Sequence, residues 1–136
     1  MNDRYLYRAK RADNGEWIIG NLVYSENASI GYEYMIMPTQ IIGNWSTVLK
    51  DTICQCTGLK DKNGNLIWEN DICRRILLPT KRIEKNFRIA YVPYKCCLSA
   101  IDLDGSNITF LSDYINNQYE VEVIGNIFDN PESLEK

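Results

Sequence analysis

Apolar and polar residues alternate with period two along much of this chain, the mark of strands with one buried face. Near the start Tyr5, Tyr7 and Ala9 fall on one side, and Arg4, Leu6 and Arg8 on the other. Asp13-Asn14-Gly15 then supplies a turn, and Trp17 to Tyr24 reads as the return strand. After a polar loop from Ser25 to Ser29, alternation resumes at Tyr32, Tyr34 and Ile36 and stops at Pro38. Ile41, Ile42, Trp45, Val48 and Leu49 form a less regular patch that suits a strand or a short helix. Thr52 to Thr57 is a β-prone lead-in to the centre of the chain.

The centre, Cys56 to Ile72, is rich in turn residues. Asn63-Gly64 predicts a two-residue type I′ hairpin turn, because both residues accept positive φ. Leu66, Ile67 and Trp68 read as a short strand, and Glu69-Asn70-Asp71 as a second turn. Asn70 suits a left-handed backbone position, and Asp71 is placed to bond amides two residues on. A polar site built on Asp61, Lys62 and Asp71 is the competing reading, but turns select these residue types for backbone reasons alone.

Beyond it, Ile72 to Leu78 is an apolar strand that ends before Pro79, and Thr80 to Asn86 reads as a charged loop. Phe87, Ile89 and Tyr91 alternate with Arg88 and Ala90 until Pro93. Cys96 to Leu103 and Asn107 to Leu111 pair across Asp104-Gly105. Ser112 is positioned to cap a short helix over Tyr114 and Ile115. Tyr119 to Ile127 is a strand, with Val121 and Val123 facing away from Glu120 and Glu122. Asn130-Pro131-Glu132 reads as a helix start, Asn as cap and Pro first. Eight to ten short strands separated by turns predict an all-β sandwich or barrel.

Composition sets bounds on this picture. The 136 residues, 45% hydrophobic, suffice for a core and argue against disorder. The 11% aromatic share, with nine Tyr and three Trp, favours strands. A net charge of −3 gives no global pull towards nucleic acid or membrane. No apolar run approaches a membrane span and no secretory leader is recognisable, so a cytoplasmic protein is expected.

Candidate chemistry is sparse. The chain has no His, so His-based acid–base catalysis is excluded, and no motif marks another catalytic group. No phosphate loop or dinucleotide fingerprint implies a cofactor, and none is expected. The five cysteines, Cys54, Cys56, Cys73, Cys96 and Cys97, fit no common zinc spacing, so they read as buried thiols in a cytosolic protein. Asp102 and Asp104 form a D-x-D, but the rest of a calcium loop is missing, which favours an ordinary turn. Charge is uneven. Arg74, Arg75, Lys81, Arg82, Lys85 and Arg88 face only Glu84 in the same stretch, while residues 119 to 136 carry five acids against Lys136. The basic segment, next to Phe87 and Tyr91, is a candidate nucleic-acid contact. A solvated surface is the favoured alternative, and pairing with the acidic tail is another.

The central stretch also carries a resemblance. Gln55, Thr57-Gly58-Leu59-Lys60-Asp61-Lys62-Asn63-Gly64, then Ile67, Glu69 and Asp71-Ile72, is similar to the central signature of the YopX-like proteins of phages and prophages. Glu122-Val123-Ile124-Gly125-Asn126-Ile127-Phe128, with Asn130-Pro131-Glu132 and Leu134, resembles that family's closing motif. Arg8-Ala9, Trp17 and Gly20-Asn21-Leu22 fit its start more loosely, and residues 73 to 118 carry little recognisable pattern. Asn70 replaces the family's usual Gly, which keeps positive φ accessible, and Cys56 replaces a Tyr.

The resemblance implies a mainly β protein with an SH3-like barrel beginning near Asp71, and a phage or prophage origin would put it in a bacterial host cell. The strand pattern itself places N-terminal hairpins, residues 1–55, on a barrel region with a C-terminal tail, residues 56–136, or makes one continuous domain of 1–136. A short helical turn would end it. The family motif positions Gly58, Asp61, Asn63, Gly64, Asn70, Asp71, Gly125 and Asn126 read as structural. The resemblance implies no established activity. Many aromatics and open strand edges favour a non-catalytic binding protein acting as a homo-oligomer. A host or phage protein is a further candidate partner. A nucleic-acid module built on residues 74–88 and an undetected enzyme are the alternatives.

Overall fold

Strands form where the period-two pattern runs, and eleven of them occur among the residues that the computed structural model describes, 3–39 and 44–135. The start of the irregular patch, Ile41 and Ile42, lies outside the described residues. The chain divides into two units, one ending at Gly58 and the other starting at Leu59.

In the first unit the hairpin of β1 (Tyr7–Lys10) and β2 (Trp17–Tyr24) forms as expected, with Ala9 opposite Ile18. The strand begins later than the alternation suggests. Asp3–Tyr5 is a 3-10 turn closed by the Leu6 N–H on the Asp3 carbonyl. β3 (Tyr34–Pro38) pairs with β2 on one side and with β4 (Ser46–Thr47) on the other. β5 (Cys54–Lys60) pairs with β1 and, with β6 (Leu66–Trp68) belonging to the second unit, the order in the first is β4-β3-β2-β1-β5. Ala9, Ile36 and Val48 are buried at its core, with Tyr7, Ile18, Leu22 and Tyr34 packed against them.

The second unit is built on an antiparallel five-stranded sheet. Its elements are β7 (Asp71–Leu77), β8 (Arg82–Val92), β9 (Cys97–Asp102), β10 (Ile108–Phe110) and β11 (Tyr119–Asn126). The order is β10-β9-β8-β7-β11. β8 is longer than expected, because residues 82–86, read as a charged loop, pair with β7 (Lys85 opposite Arg75, Asn86 opposite Arg74). Backbone pairing across the hairpin outweighs the polar side chains, which only local composition had placed in a loop. The SH3-like barrel is not seen closed: the sheet ends at β10 and at β11, and among the described residues no pairing joins the two.

Inward residues of β6, β7, β8, β9 and β11 and of the turn after β10 meet in one cluster: Ile67, Cys73, Phe87, Ile89, Ala100, Leu111, Tyr114 and Val121. Phe87 is fully buried, its ring edge-on to Tyr114 at 5.0 Å between centroids. Leu111–Tyr114 is a 3-10 turn that delivers Leu111 and Tyr114 to this core. Ser112 does not cap it, since Phe110 occupies the cap position and makes no side-chain cap bond. The chain ends in the expected short helical turn, a 3-10 helix over Pro131–Glu135. Among the described residues no helix is long and apolar enough to cross a membrane.

Phe87→Ala removes a fully buried aromatic side chain from the core of the second unit, and such a cavity costs about 3–5 kcal/mol. Urea denaturation is expected to show a loss of that order, whereas Arg82→Ala, on an exposed side chain, changes stability by less than about 0.5 kcal/mol.

Candidate functional site

The central turn is organised by one carboxylate. The Asp61 N–H donates to the Asn65 carbonyl (2.8 Å) and the Gly64 N–H to the Asp61 carbonyl (3.1 Å). Gly64 has φ of 84°, while Asn63 is not at positive φ. This is a type I turn followed by a left-handed glycine, not the type I′ turn expected from Asn63-Gly64. The extra residue is fixed by the Asp61 side chain: Oδ1 accepts the N–H groups of Asn63 and Asn65, both at 2.9 Å. Oδ2 accepts the Val123 N–H at 3.0 Å, and the Lys62 N–H donates to the Val121 carbonyl at 2.9 Å. The turn thereby covers the outer edge of β11.

Burial raises the Asp61 pKa, but the backbone donors of Val123, Asn65 and Asn63 outweigh it and the net shift is downward.

The other motif positions join the same scaffold. Asn70 is at positive φ, as expected, and its N–H donates to the Ile89 carbonyl at 2.7 Å. Asp71 is buried, and its Oδ2 accepts the N–H of Trp68, three residues back, at 2.8 Å. The short Trp68–Asp71 connection brings the carboxylate over the preceding amide. The closing motif folds onto this turn. The Ile127 N–H donates to the Asn70 carbonyl at 3.0 Å. Asn126 Oδ1 accepts the Phe128 and Asp129 N–H groups at 3.0 and 2.9 Å. Asn130, expected as a helix cap, uses its Oδ1 on the Asn126 N–H at 3.2 Å. A Cβ on Gly125 would lie 2.4 Å from that oxygen and would displace the Asn130 side chain from this bond. Gly58, at φ of 80°, lies in β5 at the end of the first unit.

The six basic residues do not form one surface. In β7 and β8, Arg75 and Lys85 share the face of Cys73 and Phe87, while Arg74 and Arg88 lie on the opposite one. Arg74 pairs with Glu122 through Nη2 and through Nε at 2.6 Å. Arg75 is sandwiched between the Tyr114 and Tyr119 rings, at 4.6 and 4.4 Å, and reaches Glu84 at 3.4 Å. Arg82 also reaches Glu84, at 3.3 Å. Lys85 Nζ lies 3.0 Å from Asp102 Oδ2. Lys81 is exposed at positive φ, and Arg88 is half-buried.

Asp102 is almost fully buried, with Ser106 Oγ (3.3 Å), Asn107 Nδ2 (3.2 Å) and Lys85 Nζ on Oδ2 and the Tyr114 hydroxyl (3.2 Å) on Oδ1. Its hydrogen bond and charge raise the Lys85 pKa, which keeps the ammonium protonated and unsuited to nucleophilic work. Asp104 accepts the Ser106 N–H at 2.9 Å, as a turn aspartate does. The two acids of the D-x-D thus do separate structural work. A cleft of about 400 Å³ between the 83–86 and 102–104 segments is lined by Glu84, Lys85 and Asp104. Cys54, Cys56 and Cys73 are buried free thiols, and burial, helped by Asp71 and Asp61, pushes the Cys73 pKa well up. Cys96 differs from the expectation of burial: it is exposed, in a left-handed position after the Pro93–Lys95 turn.

The family model described as YopX protein matches residues 6–135, nearly the whole chain. The chain belongs to the YopX family. The match spans both motif stretches, and the structure shows what they share. The YopX central turn and closing segment are bonded to each other through Asp61, Asn70 and Gly125–Asn130. A comparison with curated proteins returns no match. The pairing of the basic segment with the acidic stretch 119–136 is seen at Arg74 and Glu122, which strand register sets opposite each other, while Asp102, Tyr114 and Tyr119 as partners of Lys85 and Arg75 were not legible beforehand.

Asp61→Ala leaves backbone donors without their acceptor and is expected to cost on the order of 3 kcal/mol in a urea titration. Because the folded pKa of Asp61 is lowered, its stabilisation is present above about pH 4 and is lost as pH falls through the folded value. Asp61→Asn should therefore flatten the decline in stability between neutral and acid pH; an unchanged slope would assign it to other groups.

Proposed function

We propose that this YopX-family protein is a non-catalytic interaction protein that self-associates through the open edge of β10. The observation that carries the reading is the direction of that edge's backbone. The Asp102 N–H donates to the Asn107 carbonyl at 3.0 Å, so these two form a hydrogen-bonded pair of the antiparallel ladder. Thr109 and Ala100, two residues further on each strand, form the next such pair. Ile108 and Phe110 alternate with them, so their backbone groups point away from β9. Their side chains are 38% and 48% exposed.

A second copy lying antiparallel, with its Thr109 opposite Thr109, matches this edge. The Phe110 N–H of each copy meets the Ile108 carbonyl of the other, and each Ile108 side chain lies against a Phe110 ring. The opposite edge, β11, is already occupied by the Asp61 turn. An SH3-like reading of the second unit and a phage or prophage origin both fit a small β scaffold that works by contact. The nucleic-acid reading draws on Lys81, Arg88 and Arg82, whose side chain stays 68% exposed beside Glu84, since Arg74, Arg75 and Lys85 are held against carboxylates.

Light scattering over a range of protein concentrations tests the proposal. A mass that rises with concentration and falls to one chain in Phe110→Glu is the expected result. A single-chain mass at every concentration would overturn it. A mass increase only on adding mixed nucleic acid, lost as salt rises and in an Arg82→Glu, Arg88→Glu variant, would favour the basic segment instead.

A further inference from the structure

A second cleft lies within the first unit. Its volume is about 340 Å³, inside the range of roughly 300–1,000 Å³ typical of ligand sites. Arg11 and Asp13 come from the turn between β1 and β2, Tyr32 from the loop before β3, and Trp45 from the residue before β4. Backbone bonds hold these pieces in place: the Arg11 N–H on the Glu16 carbonyl (2.8 Å), the Ala12 N–H on the Thr47 carbonyl (2.9 Å) and the Tyr32 N–H on the Ser29 carbonyl (2.9 Å).

Tyr32 and Trp45 are 60% and 46% exposed, so the lining holds two aromatic faces open to a ligand. Its charged groups are already paired. Arg11 Nε and Nη2 donate to Asp13 Oδ1 and Oδ2 at 3.1 and 2.8 Å. That pair selects among ligands. A phosphate meets the Asp13 carboxylate and finds the guanidinium engaged. A cationic group meets Arg11. A neutral ring with neighbouring hydroxyls suffers neither repulsion. It can accept from the unused guanidinium N–H groups, donate to the spare lone pairs of Asp13, and lay its C–H face on an aromatic ring.

We infer that the cleft formed by Arg11, Asp13, Tyr32 and Trp45 binds a neutral carbohydrate, with the aromatic rings as the stacking platform and the Arg11–Asp13 pair as the hydroxyl-reading group. Asp13 has its pKa lowered, chiefly by the Arg11 hydrogen bond, so it stays a carboxylate acceptor through neutral pH.

The test titrates the full chain with maltotriose, cellotriose and chitotriose, read by tryptophan fluorescence and calorimetry. Uridine monophosphate and a proline-rich peptide serve as competing probes. Saturable binding of at least one trisaccharide is expected, weakened about tenfold or more by Trp45→Ala, as loss of a stacking face does for bases, and severalfold by Asp13→Asn. Trp45 and Asp13 are both exposed enough that the variants should keep the wild-type melting temperature. Should Trp45→Ala nonetheless unfold, Asp13→Asn and Tyr32→Ala carry the same comparison. Silence towards all three sugars overturns the inference. So does sugar binding that none of these variants weakens, or Trp45-dependent binding of the nucleotide or the peptide in place of sugar. The Phe110→Glu variant, altered only in the second unit, should bind sugar as the wild type does, so the two proposals fail separately.

Discussion

A carboxylate that accepts backbone N–H groups from two separate parts of the chain ties those parts together more firmly than a surface ion pair, because each donor would otherwise lose its water without replacement. Asp61 holds this position in the second unit. Two of its donors lie within its own turn and the third is Val123, in a strand sixty-two residues along the sequence. The extra residue of the turn, the left-handed Gly64 and the covered edge of β11 all follow from that geometry. Gly125 and Asn126 continue it, since a side chain at residue 125 would displace the clasp of Asn130 onto Asn126.

The charged residues of the same unit divide by strand parity. A run that looks uniformly basic in sequence is separated onto two faces once β7 and β8 pair, and each face supplies its own partners. Arg75 is the extreme case. Two tyrosine rings and Glu84 enclose its guanidinium, so it contributes to the packing of the core's end rather than to a field in solvent. Asp102 does the same for Lys85 and ties the β9–β10 hairpin to Tyr114. Pairing of this kind lowers the charge available to an external polyanion without altering the net charge of the segment.

Two kinds of surface are left over when these interactions are satisfied. One is backbone, at the β10 edge, where the ladder stops with donors and acceptors facing outward. The other is aromatic, at the β1–β2 turn, where Tyr32 and Trp45 stand beside a neutralised ion pair. They belong to different units and offer different chemistry, strand addition in one case and stacking with hydroxyl recognition in the other. A protein that works by contact can use both.

The sequence by itself determined the strands, most of the turns and the family, because period-two alternation and the chemistry of Gly, Asn and Asp act over a few residues. The β1–β2 hairpin, the left-handed Asn70, the stop at Pro38 and the short terminal turn were all legible on that ground. Only the tertiary structure decided where side chains found partners across long separations. Asn63-Gly64 favoured one turn type locally, and the Asp61 carboxylate selected another. Residues 82–86 looked like a loop, and pairing with β7 made them strand. The direction of the β10 edge, the splitting of the basic run and the placing of Tyr32 and Trp45 on one cleft depend on register and on loops closing in space. No local pattern encodes these, since the residues concerned are joined by the fold and not by the chain.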